Sequence, residues 1–197
     1  LLHDERGAAE KAKAQFSMSR IDREQHHFVR HRRNIAEAKI REASGQFHKA
    51  LALLREAEQV HVRSPMPDLQ PVGGLIARVS TRLGQYGRAL DWARDQGLHP
   101  DDSLSYTNEF GHMVLARALI ARYRHEEKEQ YIEDAIQLLD RLLQAAESGG
   151  RYGSVIKILV LLALAHDARK QTDQALLFLE RALSLGEKEG YLRVFTV

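Results

Sequence analysis

The sequence has no cysteine. Disulfides and thiolate zinc sites are therefore excluded, and a reducing compartment, the cytoplasm, is the expected location. Proline is scarce, with four in 197 residues, and three of those four (Pro65, Pro67 and Pro71) fall in one short connection. No sign of charge dominates. Lys and Arg total 29 against 27 Asp and Glu, a net charge of +2, and the two signs are interspersed. That balance argues against a surface built for nucleic acid along the whole chain. The longest apolar run, Ile158 to Ala165, is far short of the ~20 residues that span a bilayer. The N-terminal stretch from Leu1 to Arg6 has neither a secretory signal pattern nor an initiating methionine, so the chain reads as a segment of a longer one.

What the chain does have is a recurring unit. Gly84-Gln85-Tyr86-Gly87-Arg88-Ala89-Leu90 has the shape of Gly45-Gln46-Phe47-His48-Lys49-Ala50-Leu51. It returns, with one extra residue, as Gln130 to Ile136, and again as Gln171 to Leu176. The alanines Ala50, Ala89, Ala135 and Ala175 stand 39, 46 and 40 residues apart. Periods of that length mean stacked units. Each recurrence opens a helix with an apolar stripe at i, i+3, i+4 and i+7: Leu53, Leu54 and Ala57; Leu138, Leu139, Leu142 and Leu143; Phe178, Leu179, Ala182 and Leu183. The small alanine lets a partner helix approach, and the leucines fill the space beside it. The predicted architecture is all-α, a superhelix of about four helical hairpins over residues 28–197, preceded by a truncated or partly ordered helix over 1–27.

In chain order, a helix is expected from Phe28 to Ser44, with Ile35, Ala36 and Ile40 inward and Arg30, Arg32 and Arg33 outward. Its partner starts at Phe47. The Pro-rich segment 63–71 interrupts helical structure until Pro71, which suits a helix's first turn. The next pair spans residues 71–84 and 86–96, and Gly97 suits a C-terminal cap. Asp101, Asp102 or Ser103 is a candidate cap for a helix over 104–124, with Phe110, Met113, Val114, Ala118 and Leu119 as its core. Ser154 is a candidate cap for a helix reaching Lys170, apolar nearly all round and so expected to be packed on both sides.

The Gly-x-aromatic start followed by Ala-x₃-Leu-x₂-Ala resembles the second helix of a tetratricopeptide repeat (TPR). Ala50, Leu54 and Ala57 fit it, as do Ala175, Leu179 and Ala182. The Trp and Leu-Gly-x₂-Tyr of that repeat's first helix are absent, and the steps exceed its period of about 34 residues. Residues 28–195 more closely resemble the C-terminal repeat region of large bacterial LuxR-type, MalT-like transcriptional regulators. His61 to Asp68, Asp101 to Tyr106, Gly150 to Ile156, Leu179 to Leu183 and Glu189 to Phe195 carry that resemblance. It implies an upstream nucleotide-binding module and a downstream DNA-binding helix-turn-helix. Neither is within these residues: there is no G-x-x-x-x-G-K-[ST] motif and no recognisable DNA-reading helix. The segment would be the sensing and assembly part. The alternative is a free-standing TPR-type protein–protein scaffold.

No catalytic or metal chemistry emerges from the residues. His26, His27 and His31 lack a third ligand and a supporting shell, and read as surface histidines. The carboxylates from Glu126 to Asp134 lie in a charged turn rather than an enclosed site. Gly149 to Ser154 lacks the lysine of a phosphate loop. No enzyme activity, cofactor or metal is expected. The expected site is the concave face lined by the first helix of each pair, with Arg63, Arg78, Tyr106, Glu109, His112 and Arg151 as ligand-binding candidates. Tyr106, Glu109 and His112 with Met113 lie at helical spacings, so one face is expected to present them together. The competing reading packs Tyr106 and His112 between repeats and pairs Arg63 with Asp68 or Glu109. Expected partners are a small-molecule inducer or a peptide or protein on the concave face, DNA only through the separate helix-turn-helix, no membrane, and, as an option, further copies of the chain.

Overall fold

The structure, a computed structural model, describes residues 26–60 and 68–188. Among them are eight helices and no strand: α1 over 26–43, α2 Phe47–Glu58, α3 Val72–Arg82, α4 Tyr86–Asp95, α5 Glu109–Glu126, α6 Glu129–Ser148, α7 Tyr152–Ala168 and α8 Thr172–Lys188. Consecutive helices pack as hairpins, and α3, α5 and α7 also touch across the hairpins, α3 on α5 and α5 on α7. The result is the expected two-layer, TPR-like helical stack. Residues 1–25, and with them most of the expected N-terminal helix, lie outside the described residues, as does the apolar tail from Tyr191. No described helix is long and apolar enough to cross a membrane.

The hairpin turns follow from local backbone chemistry. At the end of α3, Gly84 takes φ +76, its N–H bonds the Thr81 carbonyl, and the Gln85 N–H reaches back to Ser80. This paired closure satisfies carbonyls that the helix end leaves open. It recurs at Gly45, Gly97 and Gly150, and at the end of α7 the same left-handed position is held by Lys170, φ 61. The recurring alanine is wholly buried at Ala50, Ala89 and Ala135, as a small contact residue should be, and half-buried at Ala175 on the last helix.

Two apolar clusters make the core. One joins α1 to α5 through Leu54, Leu75, Val79 and Val114. The other joins α4 to α8 through Leu119, Leu139, Ile156 and Leu162. Leu90, Trp92 and Met113 pack against both and link them. Each fully buried Leu or Ile contributes about 1.5–3 kcal/mol. The link depends on glycine: a Cβ on Gly74 would lie 2.8 Å from the Phe110 ring and 3.0 Å from the Trp92 ring. Bare backbone at that position lets α3 close on α4 and α5.

Four expectations are corrected. On α1 the buried positions are Asn34, Ala38 and Glu42, whereas Ile40 is exposed, Ala36 is exposed and Ile35 is half-buried. Polar partners set that rotation: Asn34 donates to Glu56 and Glu42 accepts from Arg78. On α8, Ala182 is buried, but Leu179 and Leu183 are exposed, because the helix packs through the face of Phe178, Ala182, Leu185 and Gly186, one residue round from those leucines. Helix α5 starts at Glu109, and its N-cap residue, Asn108, makes no side-chain cap bond. Asp102 instead accepts the His99 N–H at 2.7 Å, closing its own loop. Ser154 lies inside α7 rather than before it, and its hydroxyl donates to Glu109.

Candidate ligand-binding site

Helical periodicity builds a cavity on the layer formed by α1, α3, α5 and α7. Phe110, Met113, Val114 and Arg117 follow i, i+3, i+4, i+7 on α5, and Lys157, Val160 and Leu161 follow i, i+3, i+4 on α7. The two stripes face Arg78 of α3, Lys39 of α1 and Gln70 of the connection before α3, and enclose about 290 Å³. The floor is apolar and the walls are cationic. A second chamber of about 360 Å³ shares Gln70, Phe110, Met113 and Lys157 with the first and is bounded by Tyr106, Glu109, Arg151 and Ser154.

The charges are unbalanced. The Arg78 guanidinium pairs with the Glu42 carboxylate at 2.6 Å, with both side chains largely buried, and lies 5.8 Å from the centre of the Phe110 ring. Arg78 Nε and Glu42 Oε1 are buried without hydrogen-bond partners. Lys39 donates to Gln70 at 3.1 Å. Among the described residues, neither Arg117 nor Lys157 has an ion-pair partner. The ionisation of all three remaining cations is disfavoured. Burial, then the Arg82 and Arg78 charges, push the Arg117 pKa down to about 10. Desolvation, followed by Arg78 and Lys157, lowers that of Lys39. Desolvation, followed by Arg78, lowers that of Lys157. Each is a like-charge and desolvation effect that the nearby Glu42 and Glu109 offset only in part.

The second chamber is held shut at its base. The Glu109 carboxylate, 7% exposed, accepts Arg151 Nε at 3.0 Å and Nη2 at 2.8 Å, and the Ser154 hydroxyl on its other oxygen. The Arg151 guanidinium lies 5.6 Å from the Tyr106 ring centre.

Of the sequence-predicted site residues, Arg78 lines the main cavity, and Tyr106, Glu109 and Arg151 bound the second chamber. Arg63 lies outside the described residues. His112 is corrected: it is wholly buried, faces neither chamber, and its Nε2 stands 3.3 Å from Asp102. Three residues past Glu109 is a turn of about 300°, which aims His112 at the 99–103 connection, whereas Met113, four residues on, stays beside Glu109. Tyr106 precedes α5 in a turn and is 59% exposed. Outside the site, His31 Nδ1 bonds the Ala57 carbonyl at 2.9 Å.

Sequence reasoning missed Lys39, Gln70, Arg117 and Lys157. A signal existed for two of them. Lys157 is the lone charge in the otherwise apolar run Val155–Ala165, and Arg117 interrupts the apolar stretch Met113–Ile120. Burying an unpaired charge is costly, so a solitary cation on an otherwise apolar helix marks the face that meets water or a polar cavity.

The whole length of this stack, and not only its repeats, corresponds to a known family: the MalT-like TPR region matches residues 2–197. The chain belongs to that family. No curated protein and no solved structure matches it. The cavity lies on the face made by the first helix of each hairpin, α1, α3, α5 and α7.

Proposed function

We propose that this MalT-like TPR region is the signal-receiving part of a LuxR-type transcriptional regulator in the cytoplasm, without catalytic activity of its own. In this reading, nucleotide-binding and DNA-binding modules flank it in the full regulator. A small-molecule inducer enters the cavity of α1, α3, α5 and α7 and favours one arrangement of the hairpins over another. The observation that carries the reading is the cavity itself, with its apolar floor and convergent polar groups drawn from four helices of a MalT-like array. Residues from successive hairpins meet there, so occupancy changes how hairpins sit on one another. The test is a reporter assay with the complete gene product and its neighbouring promoter. Inducer-dependent transcription that is lost when the cavity floor is blocked by Val114→Trp is the expected result. Transcription that never responds to a metabolite library removes the sensing claim.

A second reading, a TPR-type protein–protein scaffold, draws on α8, where Leu176, Leu177, Leu179 and Leu183 are 37–58% exposed. Neighbouring leucines at that exposure mark a surface for protein contact. Recovery of one stoichiometric partner, with no stabilisation by any small molecule, favours it.

A further inference from the structure

We propose that the main cavity binds a small organic anion with an apolar body, its carboxylate or phosphate group held among Lys39, Arg78, Arg117 and Lys157 and its body laid on Phe110 and Leu161. The inference rests on the sensing role above and names the chemistry of its ligand.

Three observations carry it. Four cations from four different helices converge on one cavity, and among the described residues the one carboxylate paired with any of them is Glu42, already committed to Arg78. Glu109, which also faces Lys157, is committed to Arg151 and Ser154. The cavity therefore holds more positive charge than its walls neutralise. Second, Arg78 Nε is a buried donor without an acceptor, and Arg117 and Lys157 have no ion-pair partner among the described residues. A buried donor such as Arg78 Nε is normally satisfied, and an incoming oxyanion satisfies it while pairing the half-buried Arg117 and the more exposed Lys157. Third, the floor excludes a purely polar anion as the best fit: Phe110, Met113, Val114, Val160 and Leu161 present apolar surface that inorganic phosphate leaves uncovered. The depressed pKa values of Lys39, Arg117 and Lys157 agree: each reports desolvation first and then crowding of like charge, and a bound anion relieves the second.

The test is calorimetric titration of the 197-residue chain with four probes: phenylacetate, phenyl phosphate, inorganic phosphate and the neutral phenylacetamide. We expect phenylacetate or phenyl phosphate to bind, the better of the two distinguishing a carboxylate from a phosphate ligand. Inorganic phosphate should bind at least tenfold more weakly and the amide not at all. Lys157→Gln and Arg117→Gln, checked for native far-UV dichroism, should each weaken the anion about tenfold or more. Arg94→Gln, which removes an exposed cation paired with Asp91 away from the cavity, should leave affinity unchanged. Equal binding of the amide, unchanged affinity in both Gln variants, or no binding by either aromatic anion overturns the proposal. If the anions fail while the complete regulator answers a neutral inducer, this inference falls and the sensing role stands. If the anions bind at the cavity but transcription never responds, the sensing role falls and the anion site stands.

Discussion

At the scale of single residues, this molecule buries charge and depends on pairing it. The Glu109 carboxylate is nearly inaccessible and its charge is met by Arg151 and Ser154. Breaking a buried pair leaves one charge without compensation, a loss of about 3–5 kcal/mol when both partners are fully buried. Arg151 retains 28% exposure, so water screens part of that loss. Arg151→Ala is therefore expected to cost about 2–3 kcal/mol, read as a lower urea midpoint with unchanged slope. Arg151→Lys should recover little of it, because a point ammonium does not reproduce the two-pronged donation to Glu109. Asp102 gives a pH signature. The His99 N–H first, and then the hydrogen bond with His112, hold its carboxyl below the usual aspartate value. A carboxyl depressed in the folded state binds fewer protons than in the unfolded chain, so its contribution is present above the unfolded pKa, about 3.9, and is lost as pH falls through the folded value. Asp102→Asn should accordingly show a shallower decline of melting temperature below about pH 4 than the parent chain.

At the scale of elements, hairpin ends and helix crossings are separable. Five helix ends share one paired left-handed closure: four use glycine and the end of α7 uses Lys170, while α5 ends on a second side-chain-bearing left-handed residue, Glu127, φ 54. A non-glycine residue there costs roughly 1 kcal/mol. Lys170→Gly is expected to stabilise the chain by about that amount, raising the melting temperature by about 2–4 °C. Helix crossings respond in the opposite sense. Gly74→Ala drives a methyl into the Phe110 and Trp92 rings and should cost about 1–3 kcal/mol. Gly87→Ala, on an exposed face of α4 with nothing within 4 Å, should gain about 0.5–1 kcal/mol through helix propensity alone. The opposite signs of these two Gly→Ala changes, measured by chemical denaturation, separate close approach from backbone entropy.

At the scale of the whole molecule, the stack is quasi-one-dimensional, with two apolar clusters joined at α4 and α5 through Leu90, Trp92 and Met113. The cavity spans four helices of one layer, so under the proposed sensing role a bound ligand would act through how neighbouring hairpins pack. The exposed leucines of α8 belong to the same scale. Replacing Leu176 and Leu183 with Glu is expected to leave stability within about 0.5 kcal/mol, since both are surface positions. Any concentration-dependent association in sedimentation velocity should disappear in that double variant.

The sequence by itself determined the helices, their pairing and their turns. A 3.6-residue apolar stripe, a small residue at the crossing and a glycine at the closing position are each written locally: Ala50, Ala89 and Ala135 are buried, and Gly45, Gly84 and Gly97 have positive φ. Only the tertiary structure decided which charges meet. Asn34, Glu42 and Arg78 are polar residues whose inward placement depends on partners tens of positions away, so apolar periodicity turned α1 toward Ala36 and Ile40 instead. His112 illustrates the same limit: its spacing suited a shared face, but one helical residue decides between a groove and a buried loop contact. Lys39, Arg78, Arg117 and Lys157 come from four helices spread over more than half the chain. Their convergence is a property of the stacking, because electrostatics acts through distance in space and sequence carries only distance along the chain.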